Sequence, residues 1–137
     1  MSAKFDSKKY RIMVVDDEPS VLFTYRLLLQ QQGYQVIAVP TCQEALEKLR
    51  TEDVHLVLSD YALEERHTGF EIFDAVRQKL ANTPCILLTG YANREAVDRA
   101  ESQNITVVFK PTDMDELLAT IPQKLREFYE QTAANAS

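Results

Sequence analysis

The sequence predicts an α/β fold: a doubly wound parallel sheet of five strands in (βα)5 order. Three observations carry this expectation. Five short apolar runs of the buried-strand type recur, each ending at a polar residue or a turn signal. Between them lie stretches with apolar residues at helical spacing, several opened by a proline or a capping residue. The chain has 137 residues, 45% of them hydrophobic and 26% charged, which suits one domain with one core.

The elements follow in order. Residues 1–9 are polar and read as a flexible N-terminus ahead of a domain at 10–130. Arg11-Ile-Met-Val-Val15 is the first strand, stopped by Asp16-Asp17-Glu18-Pro19. Pro19 suits the first turn of a helix that carries Val21, Leu22, Tyr25, Leu28 and Leu29, and Gly33 ends it. Gln35–Val39 is the second strand. Thr41 and Glu44 form a capping box for a helix that buries Ala45, Leu46 and Leu49. Val54–Ser59 is the third strand and ends at Asp60, followed by a loop over 61–69 and a helix from Phe70 to Leu80. Pro84–Thr89 is the fourth strand, closed by Gly90, and Asn93 caps a helix to about Ser102. Ile105–Lys110 is the fifth strand. After Pro111, Thr112 or Asp113 caps a last helix that buries Leu117, Leu118, Ile121, Leu125 and Phe128. Pro122 should kink or interrupt that helix, and 131–137 reads as a flexible tail.

In such sheets ligands bind at the carboxyl ends of the strands. Those ends carry Asp16 and Asp17, Asp60, Thr89 and Lys110. Crowded carboxylates repel one another, and a hard dication such as Mg²⁺ relieves the repulsion. A hydroxyl and an ammonium beside them suit a phosphoryl group, and an Asp carboxylate can be the nucleophile that accepts one. The bland alternatives are an Asp helix cap at 16–17 and a solvated surface lysine at 110. The convergence of all five residues on one sheet edge favours the functional reading.

These residues resemble the receiver domain of bacterial two-component response regulators. The likeness rests on Ile12-Met-Val-Val-Asp-Asp-Glu-Pro19, Leu56-Val-Leu-Ser-Asp60, Ile86-Leu-Leu-Thr-Gly90 and Val107-Val-Phe-Lys-Pro111, and it runs from about Tyr10 to about Phe128. The resemblance implies a flavodoxin-like sheet with strand order 2-1-3-4-5. It implies that Asp60 is the phosphoacceptor and that Asp16, Asp17, Asp60 and the backbone carbonyl of Ala62 hold Mg²⁺. Thr89 matches the switch hydroxyl and Lys110 the phosphate-binding lysine, with a cis Lys110–Pro111 bond. The implied donor is a histidine kinase or a histidine phosphotransfer protein, and the chain catalyses only its own phosphotransfer and dephosphorylation.

Three departures from the family pattern stand out. The loop 61–69 lacks the usual proline and is one residue longer, so it should be more mobile or differently shaped. It carries Glu64, Glu65, Arg66 and His67, with His67 read as an exposed residue, or else a metal ligand or interface residue. Val107 stands where many receivers have the aromatic switch residue, and Phe109 falls on the face opposite Lys110 and Val108. Ala62 and Tyr91 occupy the positions that tune phosphate lifetime, which suggests slow loss of phosphate.

A net charge of −6 and a pI of about 4.9 argue against autonomous nucleic-acid binding. No apolar run approaches the ~20 residues of a membrane span, and residues 1–10 have no secretion h-region. Cys42 and Cys85 lack zinc-ligand or CxxC spacing and read as reduced thiols in a cytoplasmic protein. His55, inside an apolar strand, reads as a core or edge histidine. The expectation is a stand-alone phospho-switch, a monomer or weak dimer, that signals to a downstream protein partner. A phosphorylation-independent adaptor and a Mg²⁺-dependent phosphohydrolase are the competing readings.

Overall fold

The structure, a computed structural model, describes residues 4–130. The flexible tail expected at 131–137 lies outside the described residues, as do residues 1–3. Five strands form one parallel sheet: β1 (Arg11–Val15), β2 (Gln35–Val39), β3 (Leu56–Asp60), β4 (Cys85–Thr89) and β5 (Thr106–Phe109). Their order is β2-β1-β3-β4-β5, as the resemblance implied. Five helices cover the two faces: α1 (Pro19–Gln31), α2 (Cys42–Thr51), α3 (Gly69–Lys79), α4 (Arg94–Ser102) and α5 (Met114–Leu125). The inner strands β3 and β4 are buried along their whole length, whereas the edge strands β2 and β5 are mostly half-buried.

Strand side chains alternate between faces, and the core divides accordingly. Met13, Val15, Val57, Leu87 and Val107 pack in a cluster with Ala45, Phe73 and Ala96, from α2, α3 and α4. Ile12, Val14, Leu56, Leu58, Ile86, Leu88 and Val108 pack in a second cluster with Tyr25 and Leu29 of α1 and Leu117 and Ile121 of α5. This parity decides which layer each strand-end residue joins.

Local signals explain the helix boundaries. Pro19 occupies the first turn of α1 behind Glu18, and Gly33 takes a left-handed φ of 102° just beyond the helix. Thr41 Oγ1 accepts the Glu44 N–H at 3.0 Å, but the Glu44 carboxylate meets the Thr41 hydroxyl rather than its backbone. The full capping box read from the sequence is therefore only half formed. Asn93 caps α4 through the Ala96 N–H, and Asp113 rather than Thr112 caps α5 through the Glu116 N–H.

Other expectations are corrected. Pro122 does not interrupt α5, which runs through it and widens into π-type turns at Arg126–Glu130. Near the start of a helix's last turn, proline forfeits one hydrogen bond, and the packing of Ile121 and Leu125 holds the rest in place. Leu118 and Phe128 are half-buried rather than buried. Residues 5–9 pack on the domain: Ser7–Lys9 make a 3₁₀ turn capped by Asp6, and Phe5 stacks on Tyr10 with centroids 5.4 Å apart. The polar composition of that segment concealed the one aromatic that pins it. His55 is half-buried, and its Nδ1 accepts the Arg11 N–H at 3.0 Å.

Gly69, the first residue of α3, lies against the end of β3. A Cβ there would stand 2.8 Å from the Asp60 carbonyl oxygen and 2.8 Å from Ser59 Oγ. Gly69→Ala should lower stability by about 1–3 kcal/mol, the usual cost of overpacking. Urea unfolding of the two proteins side by side measures it.

Candidate functional site

The carboxyl ends of β1, β3 and β5 meet at a cavity of about 550 Å³. Asp16, Asp17, Asp60 and Lys110 line it, together with Tyr25, Thr112 and Met114 from the α1 and α5 side. Parity explains this set. Asp16, Asp60 and Lys110 continue the alternation of Val14, Leu58 and Val108, so all three turn toward the layer of α1 and α5. Asp16 and Asp60 are buried at 2% and 8% exposure, whereas Asp17 is exposed.

The electrostatics are those of crowded anions with one cation. Lys110 Nζ lies 2.7 Å from Asp60 Oδ1. Burial works against the Lys110 ammonium, but the hydrogen bond and charge of Asp60 outweigh it and raise its pKa. Burial also raises the pKa of Asp16, helped by the neighbouring charges of Asp60 and Asp17 and opposed by the Glu18 N–H and Lys110. That N–H donates to Asp16 Oδ1 at 2.9 Å, while the buried Oδ2 has no partner. A buried, unpartnered carboxylate oxygen is costly. One oxygen from each of Asp16, Asp17 and Asp60 lies within 4.8 Å of the others. An all-oxygen donor set with an orphaned atom fits a hard dication.

Not every residue singled out in the sequence joins this cavity. Thr89 lies at the end of β4 on the opposite parity from Lys110, is buried, and its Oγ1 accepts a 3.4 Å hydrogen bond from the Asn93 side chain. Its register partner on β5 is Phe109. Ala62 is exposed and bridges Thr68 across the loop. Val107 pairs with Leu87 and packs in the α2–α4 layer. The Lys110–Pro111 peptide bond is cis.

The loop 61–69 has a shape of its own. Leu63 is buried, Glu64–Arg66 make a tight turn with Glu65 and Arg66 at positive φ, and Glu64 reaches across to α2. The Glu64 carboxylate accepts the Cys42 and Gln43 N–H groups at 2.8 and 3.2 Å. Sequence reasoning missed this cap. It also missed two other features. Tyr25, read only as core, donates from its hydroxyl to Thr112 Oγ1 at 3.2 Å beside the acidic cavity. Tyr91, 72% exposed, stacks on Phe109 with centroids 4.1 Å apart and planes 8° from parallel. Phe109 shares its face with Val107, two residues earlier, and that parity was the available clue.

Residues 12–122 match the family model of the response regulator receiver domain. The chain belongs to that family. This receiver domain is 30% identical over 121 residues to the transcriptional regulatory protein GlrR of Escherichia coli (strain K12), a match that covers 88% of this chain. It spans only 27% of GlrR's own length. It is 36% identical over 115 residues to an uncharacterized 14.6 kDa protein of Leptolyngbya boryana, covering 82% of this chain and 87% of that one. Among solved structures, a CheY-like receiver domain protein from Methanospirillum hungatei superposes with a TM-score of 0.79 at 29% identity, covering 86% and 94% of the two chains. The response regulator TrrA of Thermotoga maritima, solved in complex with Mg²⁺-BeF, gives a TM-score of 0.72 at 29% identity, covering 84% and 98%. Among the described residues of this receiver domain, no helix is long and apolar enough to cross a membrane.

Lys110 is the ammonium that touches Asp60, and its side chain is 41% exposed, so the pair is partly screened. Lys110→Met should cost about 1 kcal/mol of stability at pH 7. Asp16, whose pKa burial raises and Lys110 lowers, takes up a proton more readily without that cation, so the deficit should shrink toward pH 4. Denaturant unfolding of both proteins across that range measures it.

Proposed function

We propose that this receiver domain accepts a phosphoryl group on Asp60 from a histidine kinase or a histidine phosphotransfer protein, and signals through contacts with a downstream protein. The observation that carries the reading is the Lys110–Asp60 contact of 2.7 Å inside a cavity whose Asp16 oxygen is unpartnered. An oxygen of Asp60 attacks phosphorus, the bond from phosphorus to the donor's imidazole nitrogen breaks, and that nitrogen keeps the electron pair. Lys110 offsets the charge on the phosphoryl oxygens. Asp16, Asp17, Asp60 and the Ala62 carbonyl would hold Mg²⁺, which when bound supplies charge neutralisation for the transferring group. The exchange is signalling rather than turnover, and the protein is expected to act in the cytoplasm.

Thr89 is proposed to leave Asn93 and turn its hydroxyl toward the phosphoryl oxygens. The response would then be read beside Thr89, where the exposed Tyr91 ring stacks on the half-buried Phe109. An aromatic ring exposed as Tyr91 is suits a protein partner better than open solvent. A phosphorylation-independent adaptor is the second reading, favoured by Val107 in place of the aromatic switch residue and by the existing Asn93–Thr89 hydrogen bond.

Incubation with acetyl phosphate, followed by intact mass measurement, tests the proposal. The expected result is a gain of one phosphoryl group that needs Mg²⁺ and is absent in Asp60→Asn. No gain with or without Mg²⁺ would turn the account to the adaptor.

A further inference from the structure

A second group of ligating atoms lies on the α2–α3 side of the loop, built from none of the residues of the acidic cavity. Cys42 opens α2, His67 belongs to the loop 61–69, and Glu71 sits in the first turn of α3. The Cys42 sulfur, a His67 ring nitrogen and a Glu71 carboxylate oxygen all lie within 4.8 Å of one another. We propose that these three side chains bind a thiophilic divalent cation, and that zinc is the ion the donors fit.

The donor chemistry selects the ion. One sulfur, one imidazole nitrogen and one carboxylate oxygen form a set that zinc takes readily, whereas Mg²⁺ and Ca²⁺ favour oxygen alone. Tetrahedral zinc with bonds of about 2.0–2.3 Å needs its donors roughly 3.3–3.8 Å apart, so side-chain shifts of about an ångström complete the site. Three protein donors leave a fourth position for water. The Cys42 residue is fully buried, while the His67 and Glu71 side chains are 36% and 44% exposed. The ion would therefore sit over a buried sulfur with its open position toward solvent.

The surroundings already hold the donors in place. His67 Nδ1 stands 3.0 Å from both Glu71 oxygens, and the Thr68 N–H donates to Glu71 Oε2 at 3.0 Å. Glu64 ties the loop to α2 by accepting the Cys42 and Gln43 N–H groups. The Thr68 and Glu64 contacts steady Glu71 and the start of α2, while the His67–Glu71 contact joins two of the donors directly and is the one an ion would replace. The positive ends of α2 and α3 would by themselves oppose a cation. Burial pushes the Cys42 thiol up to about 11 and the Glu71 hydrogen bond raises the His67 pKa, so the ion must displace protons from both; the nearby carboxylates of Glu64, Glu65 and Glu71 raise both pKa values further but draw a cation to the same place. On binding, the thiol proton leaves to solvent and the thiolate becomes the ligand.

The full chain titrated with Co²⁺ and with Zn²⁺, both in excess Mg²⁺ to occupy oxygen-only sites, tests the site. The expected result is one equivalent of Co²⁺ with a sulfur-to-cobalt charge-transfer band and the strong visible bands of a tetrahedral ion, displaced by one equivalent of Zn²⁺. Zinc affinity, measured against a chromophoric chelator, should fall at least about tenfold in Cys42→Ala and in His67→Gln, and should be unchanged in Asp16→Asn. His67→Gln changes a half-exposed loop residue, so the test stands even where Cys42→Ala unfolds. Absence of the charge-transfer band, unaltered affinity in His67→Gln, or loss of zinc in Asp16→Asn would each overturn the proposal.

Discussion

Everything at the carboxyl end of this sheet is arranged around the repulsion between two buried carboxylates. Asp16 and Asp60 extend adjacent strands into one layer, and a third carboxylate, Asp17, stands beside them. Water would screen these charges, but burial removes most of it, and burial is what raises the Asp16 pKa. The protein answers with one ammonium, Lys110, and one backbone N–H, from Glu18. That is less than the anions require, as the unpartnered Asp16 oxygen shows. The site therefore favours cations and any group that brings one. The strands β1, β3 and β4 beneath it carry wholly buried apolar side chains.

Strand parity separates this charged cavity from the surface beside it. Lys110 and Val108 face α1 and α5, while Phe109 and Val107 face the other way, with Thr89 paired to Phe109 in register. The cis bond after Lys110, the Thr89–Asn93 hydrogen bond and the Tyr91–Phe109 stack all lie within a few residues of the strand ends. Tyr91 follows Thr89 by two residues, and its ring rests on Phe109. In this chain the aromatic element of the β4–β5 edge is a stacked pair at the rim rather than a ring at position 107.

The sheet and most helix ends were legible because they depend on local chemistry. The β1 run, Pro19 in the first turn of α1, Gly33 beyond its end, and the Asn93 cap are each decided by a few neighbouring residues, and each stands where the sequence put it. The acidic convergence was also readable, because parallel topology brings strand ends together whatever the loops do. What escaped depends on contacts between distant segments. The Glu64 cap on α2 joins residues 22 apart in the chain, and the Tyr25–Thr112 hydrogen bond joins residues 87 apart. The loop 61–69 was noticed for its length and composition, but its shape comes from Leu63 burial and the reach of Glu64. Polar neighbours mask Phe5, and a proline near a helix's last turn breaks it less than one in its middle.

The claim that crowded, under-neutralised carboxylates define the site can be tested through their response to a dication. The thermal midpoint of the parent and of Asp16→Asn would be followed as Mg²⁺ is raised from zero into the millimolar range. An ion that binds only the folded state raises stability by RT ln(1 + [Mg²⁺]/Kd). The account predicts a midpoint that climbs with Mg²⁺ in the parent and stays nearly flat in the variant. A flat parent, or a variant that climbs as steeply as the parent, would contradict it.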